Sequence, residues 1–96
     1  MDDRLTALRK EIEETDRLMA ELFVRRMETA DKIAAYKREN GIPVSDPARE
    51  SENISRNLAY IDNENLKEYY IDFLKNTMAL SRSYQKKLNG EDNNDA

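Results

Sequence analysis

The first third of the chain repeats one pattern. Leu5, Leu8, Ile12, Thr15, Met19, Leu22, Arg26, Thr29, Ile33 and Tyr36 stand alternately three and four residues apart. That is the spacing of an a/d seam along a helix. No Gly or Pro interrupts it before Gly41, where Asn40-Gly41 reads as a C-cap and Pro43 as a stop. Asp46-Pro47 starts a second helix, with Asp as N-cap and Pro at the first helical position. Ile54, Leu58 and Ile61 give it an apolar face. Asp62-Asn63 breaks the pattern, and Asn63 or Asn65 can cap a third helix. This runs to about Leu88, with Leu66, Tyr70, Phe73, Thr77, Ser81, Tyr84 and Leu88 along one side, and Asn89-Gly90 ends it. The pattern therefore predicts an all-α fold of three helices, one long, one short and one medium. Residues 1–90 form one domain without repeat or linker, and the acidic run Glu91–Ala96 is expected to be a disordered tail.

Length turns this pattern into an architecture. A first helix of roughly 34 residues is ~50 Å long, whereas a compact globule of 96 residues has a radius of gyration of only ~12–13 Å. The helix must overhang its own domain and leave Leu5, Leu8 and Ile12 uncovered. Each large apolar side chain left in water forfeits roughly 1.5–3 kcal/mol. A second copy packed along the long helix removes that cost, so the expected assembly is an intertwined helical homodimer.

Composition narrows the chemistry. Only two Gly and two Pro occur, too few for the turns of a β architecture. There is no Cys, which excludes disulfides, thiolate catalysis and Cys-ligated zinc, and no His, the commonest general base and metal ligand. A net charge of −4 argues against nucleic acid as a partner. No apolar run approaches the ~20 residues that span a membrane, and Met1-Asp2-Asp3-Arg4 carries no signal-peptide core. A soluble cytoplasmic protein is the expectation.

A few charges sit where the pattern asks for apolar residues. Arg26 lies on the seam, and Lys37, eleven residues on, returns to within about 20° of the same direction. On a plain structural reading Arg26 pairs with a carboxylate such as Glu50 and Lys37 snorkels at the helix end. Glu50 extends the apolar row of Ile54, Leu58 and Ile61, or simply favours the helix dipole in a first turn. Arg49 points about 100° away, as a rim residue or a partner of Asp46. Ser81 and Gln85 are one turn apart beside Met78, as a polar pair or as ordinary surface polarity. Arg9 lies about 25 Å from Arg26 along the helix; it is a surface Arg, or in an antiparallel dimer it reaches the partner's cluster. Together these residues describe a polar pocket suited to a small ligand with carboxylates, which Arg binds bidentately. The set offers no metal site, and Ser81 has no His to activate it. Chemistry in such a pocket must work by orientation and electrostatics.

These residues also carry a family resemblance. Leu8-Arg9, Ile12, Asp16, Met19, Leu22-Phe23 and Arg26, then Lys37, then Pro43-Val44, Asp46 and Arg49-Glu50, and finally Ser81 and Gln85 occur in order. In that order and spacing the chain resembles the all-α (AroQ-class) chorismate mutases over roughly residues 5–88. The resemblance implies an isomerase that converts chorismate to prephenate by a [3,3] rearrangement, on the route to phenylalanine and tyrosine. It implies no cofactor and a homodimer with shared active sites. By the same resemblance Arg26, with Arg9 of the other subunit, binds the two substrate carboxylates, and Ser81 assists at one. Lys37 contacts a carboxylate and the ether oxygen, and Gln85 donates to that oxygen. Glu50 and the backbone at Asp46 hold the ring hydroxyl, Arg49 sits near the mouth, and Ile33 and Met78 press on the hydrocarbon frame. Arg26, Lys37 and Gln85 are thus the catalytic candidates, and Arg9, Asp46, Arg49, Glu50 and Ser81 the substrate-binding ones. Two departures stand out: Ile12 is followed by Glu13 where many members have Asp, and Gln85 replaces a Glu found in some. Isochorismate-pyruvate lyases resemble the same pattern, and a non-catalytic helical dimer module is the alternative outside enzymes. Some mutases of this kind are fused to or activated by pathway enzymes; with no second domain here, such a partner is expected to be non-covalent.

Overall fold

A computed structural model describes residues 3–90; the acidic tail expected at 91–96 lies outside them. Three helices follow in order: α1 (Asp3–Glu39), α2 (Pro47–Leu58) and α3 (Glu64–Asn89). Among the described residues there is no strand.

The punctuation works locally. After α1, Gly41 adopts φ +63°, a conformation that costs L side chains roughly 1–2 kcal/mol. This lets Ile42 N–H reach back to Lys37 O at 2.8 Å and Gly41 N–H to Arg38 O at 3.4 Å, closing the last turn as a Schellman motif. Asp46 caps α2 by accepting from Arg49 N–H at 3.1 Å, with Pro47 just behind it. Asn63 caps α3 by accepting from Asn65 N–H at 3.0 Å. Gly90 ends α3 in the left-handed conformation.

α3 is the central element. It packs against both α1 and α2, whereas α1 and α2 have no close backbone approach to each other. Asn89 reinforces the α1–α3 contact: its Nδ2 donates to Ala34 O at 3.0 Å, and its Oδ1 accepts from Arg38 at 3.2 Å. The core is small and lies at one end. It comprises Ala30 and Ala34 of α1, Val44 of the connecting loop, and Leu74 and Met78 of α3, with Ser81 and Gln85 buried beside them.

Burial corrects two details of the pattern. On α1 the in-chain contact uses Ala30 and Ala34, whose small side chains allow close approach, and not the seam of larger residues. On α3 the buried row is Leu74, Met78, Ser81 and Gln85, while Leu66, Phe73 and Leu88 of the expected side remain exposed. The larger seam residues of α1 find no cover within the chain: Leu8 is 51% exposed, Ile12 63% and Leu22 59%. Every described residue of α1 before Met27 is exposed in its own chain. The overhang is direct. The described residues measure 58 × 26 × 26 Å with a radius of gyration of 17.1 Å, against the ~12–13 Å of a compact chain of about this length.

Candidate active site

Because α3 holds α1 and α2 apart, a gap opens between them with α3 as its floor. It is a cavity of about 680 Å³, within the usual range for a small-molecule site. Three helix faces supply its walls. α1 contributes a stripe at helical spacing that includes Arg26, Ile33 and Lys37; the N-terminal turns of α2 contribute Asp46, Arg49, Glu50 and Asn53; α3 contributes Met78, Ser81, Arg82 and Gln85. Seven of the eight site residues singled out in the sequence therefore meet here: Arg26, Lys37, Asp46, Arg49, Glu50, Ser81 and Gln85. Arg9 does not line the cavity; it lies exposed on the overhang, far along α1.

The charge of the cavity opposes that of the chain. Five cations (Arg25, Arg26, Lys37, Arg49, Arg82) and two carboxylates (Asp46, Glu50) line it, within a chain of net charge −4. Such a concave cationic surface concentrates field and attracts anions. Arg26 makes no ion pair among the described residues, so its guanidinium fork is unengaged. Lys37 is fixed but not neutralised: its Nζ donates to the uncharged Val44 carbonyl at 3.0 Å, leaving two of its three N–H donors available. The suggested Arg26–Glu50 pairing does not form. Glu50 instead binds Arg82, whose Nη1 lies 2.6 Å from both carboxylate oxygens. Arg49 is not a side-chain partner of Asp46 either; its guanidinium pairs with Glu52 at 2.8 Å, while its backbone N–H takes the Asp46 cap.

The neutral wall is polar and buried. Gln85 Nε2 donates to Ser81 Oγ at 3.0 Å, and Gln85 Oε1 has no hydrogen-bond partner. An unpartnered buried acceptor costs roughly 1–3 kcal/mol. Turning the amide end for end moves the vacancy without filling it: the Ser81 hydroxyl then donates to Oε1, and both N–H groups of Nε2 are left without a partner. In either orientation the Ser81–Gln85 pair holds hydrogen-bonding capacity that the protein itself does not use.

Sequence reasoning missed Arg82, Asn53 and Arg25. The first two carried a readable signal: Arg82 completes the i, i+3, i+4, i+7 face of Met78, Ser81 and Gln85, and Asn53 stands three after Glu50. Among the described residues, no cluster of three His, Cys, Asp or Glu could hold a metal ion. No helix of the described residues is long and apolar enough to cross a membrane.

Comparison with known proteins gives one consistent answer. The family model described as chorismate mutase type II matches residues 8–86. A chorismate mutase of Methanocaldococcus jannaschii is 38% identical over 50 residues, a stretch covering 52% of this chain and 50% of that relative. The match thus spans about half the length of the curated relative. No solved structure matches significantly.

Proposed function

Since the chain belongs to the chorismate mutase type II family, we propose that it converts chorismate to prephenate in a site completed by a second copy of itself. The observation that carries this reading is a cavity in which Arg26 and Lys37 face a buried Ser81–Gln85 pair with no carboxylate neutralising either cation. The charge missing from the site is that of a small dianion.

The mechanism follows from the groups present. Chorismate carries two carboxylates, one on the ring and one on the enolpyruvyl arm. Arg26 binds one, and Arg9 of the other subunit, antiparallel along the overhanging seam, binds the other. Holding both draws the arm over the ring into a chair-like pose, so the reaction starts from an aligned geometry. As the C–O bond breaks, negative charge grows on the ether oxygen. Lys37, held in place by the Val44 carbonyl, and Gln85, through a free N–H, donate to that oxygen. Their interaction strengthens as the charge develops, so it lowers the barrier and not merely the ground state. Glu50 accepts the ring hydroxyl, and Ile33 and Met78 flank the carbon frame. No proton transfer or covalent intermediate is needed, which suits a wall without imidazole or thiol.

The homodimer is part of the same reading. It is supported by the exposed apolar face of Leu8, Ile12, Met19 and Leu22 and by the distance of Arg9 from the cavity. A cytoplasmic setting also belongs to it. The test is to incubate purified protein separately with chorismate and with isochorismate. Prephenate from the first supports the reading; salicylate and pyruvate from the second would replace it with the lyase, and no turnover of either would overturn it.

A further inference from the structure

Glu50 is the carboxylate that the reading above assigns to the ligand's hydroxyl, yet it is already held from the other side. Five ion pairs occur among the described residues. Four join residues three or four apart on one helix; Arg82–Glu50 alone joins two elements, α3 to α2. Both side chains are largely shielded, with 34% and 27% exposure. One nitrogen, Nη1, approaches both oxygens at 2.6 Å, so the carboxylate is bound symmetrically from the α3 side. One lone pair on each oxygen, on the outer side of the carboxylate, remains for a ligand. Since α2 has no backbone support from α1, this contact also sets where the start of α2 stands against the cavity floor.

We propose that Arg82 is a positioning residue that aims the Glu50 carboxylate at one ring position of the bound dicarboxylate, and so makes the site selective for a ligand bearing a hydroxyl there. The inference rests on the function proposed above. Arg82 holds both oxygens at once, so the carboxylate plane cannot turn freely and the lone pair left on each oxygen keeps a fixed direction. Without Arg82 the carboxylate rotates and finds water, and a hydroxyl on the ligand gains nothing over a hydrogen. Because a single nitrogen makes both contacts, a point charge at that place is enough. Arg82→Lys should therefore restore what Arg82→Met removes, unlike sites where the planar fork is needed.

The test measures binding by titration calorimetry of a bicyclic dicarboxylate shaped like the transition state, with and without its ring hydroxyl. The readout is the ratio of the two affinities. Losing a cation lowers both affinities and leaves the ratio alone; a Glu50 carboxylate no longer held in place changes it. Arg82→Met should lower the ratio by about tenfold or more, the scale of one hydrogen bond to a charged acceptor. Arg82→Lys should recover most of it. Glu50→Gln should lower it as well, and adding Arg82→Met to Glu50→Gln should lower it no further. If the Met variant does not fold, Arg82→Gln keeps polarity without charge and gives the same readout. A wild type that converts chorismate and keeps its hydroxyl preference after Arg82→Met overturns this inference and leaves the function standing. A wild type that does not convert chorismate removes both.

Discussion

Replacing Ile12 by Glu separates a lone chain from a dimer by a large factor. In the single chain Ile12 is 63% exposed on the overhanging part of α1. Glu is a good helix former, so there the exchange should change stability by no more than about 0.5 kcal/mol. In a dimer the exposed part of the side chain is covered by the partner. Full burial of such a side chain is worth roughly 1.5–3 kcal/mol, so the covered two-thirds contributes roughly 1–2 kcal/mol per chain. Twofold symmetry counts the loss twice, giving roughly 2–4 kcal/mol, or about 30- to 1,000-fold in the dissociation constant. The penalty for desolvating the new carboxylate adds to this. Sedimentation equilibrium over a concentration series gives the constant directly. Urea melts at several protein concentrations give it again, because the midpoint of an obligate dimer moves with concentration. A wild type that remains a folded monomer at micromolar concentration, or an Ile12→Glu variant with unchanged association, refutes the argument.

Other outcomes follow from the site and the core. Lys37→Ala should lower kcat by about 10²–10³ while urea melts and helix content stay near wild type; turnover within a few-fold of wild type would remove its role at the ether oxygen. Gln85→Glu should make activity acid-dependent, since a carboxyl donates a hydrogen bond only when protonated. Its rate should fall as pH rises through the titration of that carboxyl, whereas wild-type Gln85 adds no such dependence; equal variant rates at pH 5 and 8, both conditions chosen for the assay, would reject the donor role. Ala34→Leu, at a site with 0% exposure where α1 meets α3, should destabilise by about 1–3 kcal/mol through overpacking, as read by the urea midpoint.

The helix starts and the end of α1 were legible because they are set by neighbours in sequence, whereas α2 ends at Leu58 and leaves Ile61, expected on its apolar face, outside the helix. Asp46 with Pro47, Asn63, and Asn40-Gly41 act within one turn, and the structure uses each as the pattern suggests. The in-chain core was less legible. Large apolar residues mark a face that wants cover without saying whose, and on α1 they mark the uncovered face, whereas the α1–α3 contact is made by Ala30 and Ala34. Small residues carry almost no hydrophobic signal, yet they set how closely helices pack. Ser81 and Gln85 appeared as a pair one turn apart and are bonded as such. Arg82 escaped because an Arg next to a Ser in a charged helix looks solvated; its partner Glu50 is 32 residues away and no local rule couples them. Arg9 has no place in the cavity of its own chain, so its assignment comes only with the second copy.

That second copy gives the most direct measurement. Arg9→Ala and Arg26→Ala chains, each inactive alone, are unfolded together and refolded as a mixture. If each site takes Arg26 from one chain and Arg9 from the other, a mixed dimer has one site with both arginines and one with neither. Random pairing then restores about a quarter of wild-type activity, because about half of the dimers are mixed and each has one good site of two. A mixture no more active than its parents contradicts a site shared between chains.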